Sequence, residues 1–197
     1  MHYVLAFILS YGFGGIPFGY ILGKKVKGLD IRQHGSGNIG FTNVLRVCGA
    51  RLGLLAFFLD VSKGFLPVFI FNYWRGLSYG ILAGLGAFLG HIFTPYLRFQ
   101  GGKGVATGLG IFIALSPMVA AIAFGVWLVL VAVVRYVSFA SMSAGVVLPL
   151  AIYFRYGISN IFLFSVVAAI LVIIRHKDNI IRLVQRREHR VYFKKQK

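Results

Sequence analysis

The stretch GVATGLGIFIALSPMVAAIAFGVWLVLVAVV, Gly104 to Val134, decides how many times this chain crosses a membrane. Its 31 residues carry no charge. As a single helix they would reach about 46 Å, long for a hydrocarbon layer about 30 Å thick. Ser116-Pro117 sits where a turn divides the run, because proline disfavours helix in the residue before it and starts helices well. Two helices are therefore expected, 104–115 and 117–134, the first short enough to require tilt or a thinned bilayer edge.

Working outward, apolar runs of spanning length occupy 3–23, 52–71, 77–97, 139–154 and 157–174. With 58% hydrophobic residues, 13% charged residues and a mean hydropathy of +0.82, the composition is that of an all-α integral membrane protein. Connections are short, so one membrane-embedded domain over 1–197 is expected, with seven transmembrane helices. The net charge of +17 sets 21 Lys and Arg against Asp30, Asp60, Asp178 and Glu188. In a soluble protein that balance would suggest nucleic acid. Here the charges crowd the ends of apolar runs, which points to topology, anionic lipid head groups and anionic substrates, with no nucleic-acid partner.

Lys24, Lys25 and Lys27 follow the first run, so it reads as a span entered with its N-terminus outside, not as a cleavable signal. Parity decides the rest. Seven spans place the loops 24–51, 98–104 and 135–141 and the C-terminal stretch after Arg175 in the cytoplasm, leaving only Arg75 and Arg155 to outer loops, with Tyr73 and Trp74 beside Arg75. Six spans would put the basic tail outside, against the positive-inside rule. The single cysteine, Cys48, excludes an intramolecular disulfide and reads as a small residue on a helix face.

Three polar constellations fall on the cytoplasmic side. In Arg98-Phe99-Gln100-Gly101-Gly102-Lys103-Gly104, glycines around one lysine let backbone N–H groups converge on an anion, and the next helix presents its positive end to the same spot. A plain basic loop is the alternative. It is no nucleotide P-loop: Leu97 stands where the first glycine belongs, and Gly104 follows the lysine in place of Ser or Thr. Between Gly35 and Gly40, glycines alternate with Ser36 and Asn38, a flexible turn rich in hydroxyl and amide groups, and Phe41 to Arg51 with Arg46 suits a short interfacial helix. His176, Asn179 and Arg182 are three apart, so on a helix continuing the seventh span they would line one face able to hold an anion and move a proton, or simply touch lipid phosphates.

Other features read more plainly. Asp60 and Lys63 share a face inside a span and can pair, as packing or as chemistry. Gly80, Gly84, Gly86 and Gly90 allow a close helix neighbour, His91 reads as a packing residue, and the tail 184–197 as a lipid-surface anchor. No acidic cluster, zinc spacing or Gly-x-Ser-x-Gly elbow occurs, so anion chemistry without metal or cofactor is expected.

Gly35-Ser36-Gly37-Asn38-Ile39-Gly40-Phe41-Thr42-Asn43, then Gly101-Gly102-Lys103-Gly104-Val105-Ala106, then His176-Lys177-Asp178-Asn179-Ile180-Ile181-Arg182-Leu183 resemble the three motifs of the PlsY family, bacterial acyl-phosphate:glycerol-3-phosphate acyltransferases. Asp60-Val61-Ser62-Lys63-Gly64 is similar to that family's second-helix signature, and Phe41 departs from its usual alanine. The His-x-x-x-x-Asp motif of other glycerolipid acyltransferases is missing: the residues five beyond the histidines are Phe7, Ile39, Tyr96, Ile181 and Lys194.

The resemblance implies a multi-pass enzyme of the bacterial cytoplasmic (inner) membrane, active on that face. It would move a fatty acyl group from acyl phosphate to the 1-hydroxyl of glycerol 3-phosphate, giving lysophosphatidic acid for phospholipid synthesis. Membrane lipids are its surroundings and a monomer is expected. Lys103 with Gly101, Gly102 and Gly104 would bind phosphate, and Gly35, Ser36, Gly37, Asn38, Thr42 and Arg46 would complete the anion sites. His176 and Asn179, with Arg182 on their stripe and Ser141 on the neighbouring turn, would orient glycerol 3-phosphate. The base would be His176 or a substrate phosphate oxygen. Lys103, Asn38 and His176 are expected around one cleft. The rival reading is a transporter of an organic anion, although no internal repeat is visible.

Overall fold

The structure, a computed structural model, describes residues 2–191; Lys194, Lys195 and Lys197 of the expected tail anchor lie outside the described residues. Among the described residues all regular structure is helical. The α-helices are α1 (His2–Gly15), α2 (Phe18–Lys27), α3 (Phe41–Cys48), α4 (Ala50–Arg75), α5 (Leu77–Ile92), α6 (Val105–Leu115), α7 (Pro117–Val134), α8 (Val137–Tyr156), α9 (Asn160–Arg175) and α10 (Lys177–Val184). Short 3-10 turns occupy Ile31–Gln33 and Pro95–Leu97.

The expected division of the longest apolar run is present. Ser116 N–H still donates to the Phe112 carbonyl, at 2.8 Å, and Pro117 opens the next helix without needing a donor. Five segments are long and apolar enough to cross a membrane: His2–Lys27, Ala50–Arg75, Leu77–Leu97, Pro117–Val134 and Val137–Tyr156. The pair α9 and α10 makes a sixth if counted as one broken span. The 11 residues of α6 reach only about 17 Å.

Three expected boundaries move. The first run is two helices, because Pro17 interrupts it after Gly15, and α2 continues to Lys27, where Gly28 at φ 67° caps it with N–H donation to Lys24 O. The second long helix extends from Ala50 to Arg75, beyond 52–71 at both ends. The stripe 176–182 does not continue the preceding helix: the chain bends by 56° between α9 and α10, with His176 at the corner.

The chain forms two compact units, Met1–Pro117 and Met118–Lys197. In the first, α5 packs on α1 and α4, and α4 also carries α3 and α6. Lipid is as apolar as leucine, so close backbone approach has to supply the attraction. Gly86 and Gly90 lie against the backbone of Phe7 and Tyr11, and Gly64 and Gly110 lie against that of Thr107 and Val61. Large apolar side chains such as Phe58 and Phe69 remain exposed, as a lipid-facing surface requires. In the second unit α8 packs on α9, and α10 leaves the end of α9 at the 56° bend.

Candidate active site

The first polar loop is built around Asn43, which is 1% exposed. Its amide nitrogen donates to the carbonyls of Ile31 and His34, both at 3.0 Å. Its oxygen accepts from Ser36 N–H at 2.9 Å and from Arg46 Nη1 at 3.4 Å. One buried amide thus gathers Gly35, Ser36 and Arg46 at the start of α3. The Asn38 carbonyl oxygen accepts from Gly40 N–H at 2.7 Å, closing the turn that admits Thr42 to the first turn of α3. The Ser36 hydroxyl, half-buried, has no partner among the described residues.

Beneath this loop lies a buried cluster of Ile31, Ile39, Val44, Cys48, Ala56 and Leu97. Leu97 precedes Arg98 directly, so the Ser36 turn and the Lys103 loop rise from a common apolar floor. Cys48 is buried there, in the small-residue role expected of it.

The Lys103 loop is tightly tied to α5. Thr94, fully buried, donates its hydroxyl to Gly15 O at 2.6 Å, and Phe99 N–H donates to Thr94 O at 2.8 Å. Arg98 and Phe99 take φ values of 52° and 61°, left-handed geometry that turns the chain sharply. Gly101 N–H donates to Ile92 O and Gly102 N–H to His91 O, each at 3.0 Å. This corrects one expectation: those two amides do not converge on a ligand but close the carbonyl end of α5. Lys103 leads into the first turn of α6, opened by Gly104 at φ 85°, whose leading N–H groups have no acceptor within the helix.

The second unit holds His176, Asn179, Arg182 and Ser141. His176 is 3% exposed, with Nδ1 at 2.8 Å from Val172 O. A carbonyl only accepts, so Nδ1 carries a proton, and the neutral ring bears its lone pair on Nε2, the tautomer of a general base. Asn179 Nδ2 and Arg182 Nε donate to the Glu188 carboxylate at 2.6 and 2.8 Å, and Ser138 Oγ donates to it at 2.9 Å. Burial pushes the Glu188 carboxyl up, but the hydrogen bonds from Asn179, Arg182 and Ser138 outweigh it and hold the group below its ordinary value. Trp127 Nε1 donates to Ser141 Oγ at 3.1 Å.

Glu188 was missed at the sequence level, where the region 184–197 reads as a lipid anchor. Within the described part, Val191 N–H instead donates to Arg135 O at 2.9 Å, and the Arg190 guanidinium stacks on Tyr136. The available signal was an acid embedded in a basic tail, which demands a partner. The sequence motif gives Asn43 no role of its own, and for His91 it favours hydrogen-bonded packing over catalysis.

The sequence profile described as "Glycerol-3-phosphate acyltransferase" matches residues 4–186. A protein of that name from Thermosipho melanesiensis is 42% identical over 190 residues, covering 96% of this chain and 93% of the relative. One from Aquifex aeolicus is 43% identical, covering 93% and 96%. Among solved structures, PlsY, an integral membrane glycerol 3-phosphate acyltransferase, matches in its glycerol 3-phosphate form with a TM-score of 0.93 and 41% identity, over 98% of this chain and 96% of that one. Its lysophosphatidic acid form matches at 0.91 and 40%. Helix pattern, motif loops and relatives agree along nearly the whole length, and the chain belongs to the glycerol-3-phosphate acyltransferase family of integral membrane enzymes.

Proposed function

We propose that this enzyme transfers a fatty acyl group from acyl phosphate to the 1-hydroxyl of glycerol 3-phosphate, giving lysophosphatidic acid and inorganic phosphate. The observation that carries the acceptor and product is that the matching PlsY structures are a glycerol 3-phosphate form and a lysophosphatidic acid form. The donor rests on the resemblance of the three loops to the PlsY motifs, and the site chemistry is compatible with it. An acyl phosphate is already activated, and the residues offered here are a lysine at a helix N-terminus, hydroxyls, amides, arginines and an oriented imidazole, with no cluster of metal-ligating side chains among the described residues.

In this reading Lys103 and the α6 N-terminus hold one phosphate, assisted by Ser36 and Arg46 from the loop that Asn43 organises. The 1-hydroxyl oxygen attacks the acyl carbonyl carbon and forms the ester. The bond from that carbon to the phosphate oxygen breaks, and phosphate leaves with the electron pair. The hydroxyl proton passes to His176 Nε2 or to a substrate phosphate oxygen. Asn179 and Arg182 act through Glu188, which fixes the α10 turn beside His176.

The topology proposed with it has seven spans, the N-terminus outside, and the loops of Ser36, Lys103, Ser141 and His176 in the cytoplasm. The test is phosphate release by purified protein in detergent. Release that depends on glycerol 3-phosphate separates an acyltransferase from an organic-anion transporter. Lys103→Ala and His176→Ala are each expected to lose about 10²-fold or more in kcat/KM. Wild-type rates in both would remove these residues from the mechanism, and activity lost to a chelator would contradict a metal-free site.

A further inference from the structure

Beneath the Lys103 loop lies a buried polar column that the chemistry above does not use. His91, 3% exposed, stands in the last turn of α5. Its carbonyl takes the Gly102 N–H at 3.0 Å, while its ring lies directly under the Gly102 Cα: a Cβ built at residue 102 would run into Nε2 of the imidazole. The other edge of the ring, Nδ1, faces Asp60 Oδ1 at 3.9 Å. Asp60 is paired with Lys63 Nζ at 2.7 Å, and Lys63 in turn donates to Ile16 O at 2.8 Å, in the break between α1 and α2. Asp60 and Lys63 are 2% and 1% exposed. A charge pair so deep in an apolar unit costs desolvation; Lys63 adds a second donor to the Ile16 carbonyl, which also accepts from Phe18 N–H at 3.1 Å, and the carboxylate stands beside the imidazole, beyond hydrogen-bond reach.

We propose that His91 is a positioning residue for acyl transfer, a buried strut packed beside the Asp60–Lys63 pair that sets the height of the Gly101–Gly104 loop and so the reach of Lys103 toward phosphate. The proposal rests on the reading that Lys103 holds a substrate phosphate. The ring supports the loop from below and its carbonyl pins it from the side. Gly102 is glycine because the strut leaves no room for a side chain, which explains the residue without any demand from the ligand.

The test compares His91→Ala, Gly102→Ala, the double variant, Lys103→Ala and a buried control, Ser10→Ala. The readouts are KM for each substrate, kcat, thermal midpoint, and amide hydrogen exchange across 99–104. His91→Ala is expected to raise KM for one phosphate-bearing substrate about tenfold and to speed exchange in the loop. Gly102→Ala, whose methyl meets the ring, is expected to do the same. In the double variant the vacated ring space takes the methyl, so KM falls below that of Gly102→Ala alone, a non-additivity that general destabilisation does not produce. Ser10→Ala leaves KM and loop exchange unchanged. His91→Gln, which keeps a polar group but no ring, replaces His91→Ala if the latter does not fold. Wild-type KM and exchange in the His91 variants, or losses that only follow the thermal midpoint, overturn the strut. If Lys103→Ala retains wild-type KM and kcat, the phosphate reading itself fails, a distinct result.

Discussion

At the scale of single residues, each unit holds one side chain that gathers partners from elsewhere in its own fold, Asn43 in the first and Glu188 in the second. Asn43 uses both donors and both acceptor positions of its amide, so an acid of the same shape is a severe change. Asn43→Asp sets an oxygen against the carbonyls of Ile31 and His34 and is expected to cost about 1–3 kcal/mol. A fall in thermal midpoint in detergent, with lost activity, is the expected measurement; an unchanged midpoint would show that the Ser36 turn is held otherwise. Glu188 brings a pH dependence. Its carboxyl sits below its ordinary value of 4.5, so its contribution to stability is complete above that value and is lost as pH falls through the lower native one. Glu188→Gln should therefore lower the thermal midpoint at neutral pH and flatten its decline below about pH 4.5, with activity falling alongside as the α10 turn loosens. Asp30 is the contrast. The Arg32 hydrogen bond holds it at about 2, yet the pair is solvent-facing and screened, so its loss should scarcely register. Motif residues such as Ser36, Lys103 and His176 can be proposed from sequence because the chemistry of a phosphate ester asks for such groups. Asn43 and Glu188 cannot, since neither role exists until Ile31, Ser138 and Arg182 have been brought to them.

At the scale of elements, the informative features are the breaks. Pro117 ends one helix and opens the next, as its place in an overlong run implies. Pro17 does the same, yet Pro67 and Pro149 lie inside the unbroken α4 and α8. Proline alone does not decide, and a break also needs donors for the carbonyls it frees. At the first break these are present: Thr94 reaches Gly15 O and Lys63 reaches Ile16 O, from residues 79 and 47 positions away. No local pattern reveals such partners, which is why the run 3–23 reads as one helix. The bend at His176 has no proline at all, and the stripe assumed for 176–182 fails there. Lys63→Met tests the first break. It removes the donor to Ile16 O and leaves Asp60 buried without its cation, a change worth on the order of 3–5 kcal/mol. Adding Asp60→Asn should recover much of that loss, because the uncompensated charge is then gone. A double variant no more stable than Lys63→Met would show that the bond to Ile16 O, and not the charge, carries the cost.

At the scale of the whole molecule, the membrane class and the placing of the long apolar helices follow from sums over residues, and sums survive ignorance of contacts. The proposed orientation rests on a sum of the same kind, since each Lys or Arg near a span end adds to the bias independently. The weak link is α6, about 17 Å long against a layer of about 30 Å. If it crosses in a tilted or thinned setting, everything after it is set by parity: Arg135 inside, Arg155 outside, Lys177 inside. If it enters and leaves on one side, all three reverse, and the basic C-terminal stretch is placed outside. Single cysteines in a Cys48→Ala background separate the two. With a membrane-impermeant thiol reagent on intact cells, Tyr3→Cys, Arg75→Cys and Arg155→Cys are expected to label, while Lys25→Cys, Arg135→Cys and Lys177→Cys label only after permeabilisation. Arg155 is the pivot: it is exposed in the structure and carries one of the two basic groups left to the outer loops. Its protection in intact cells, together with labelling of Arg135→Cys, would reduce the count to six and remove His176 from the cytoplasmic side, and with it the shared supply of water-soluble phosphate esters on which the proposed reaction depends.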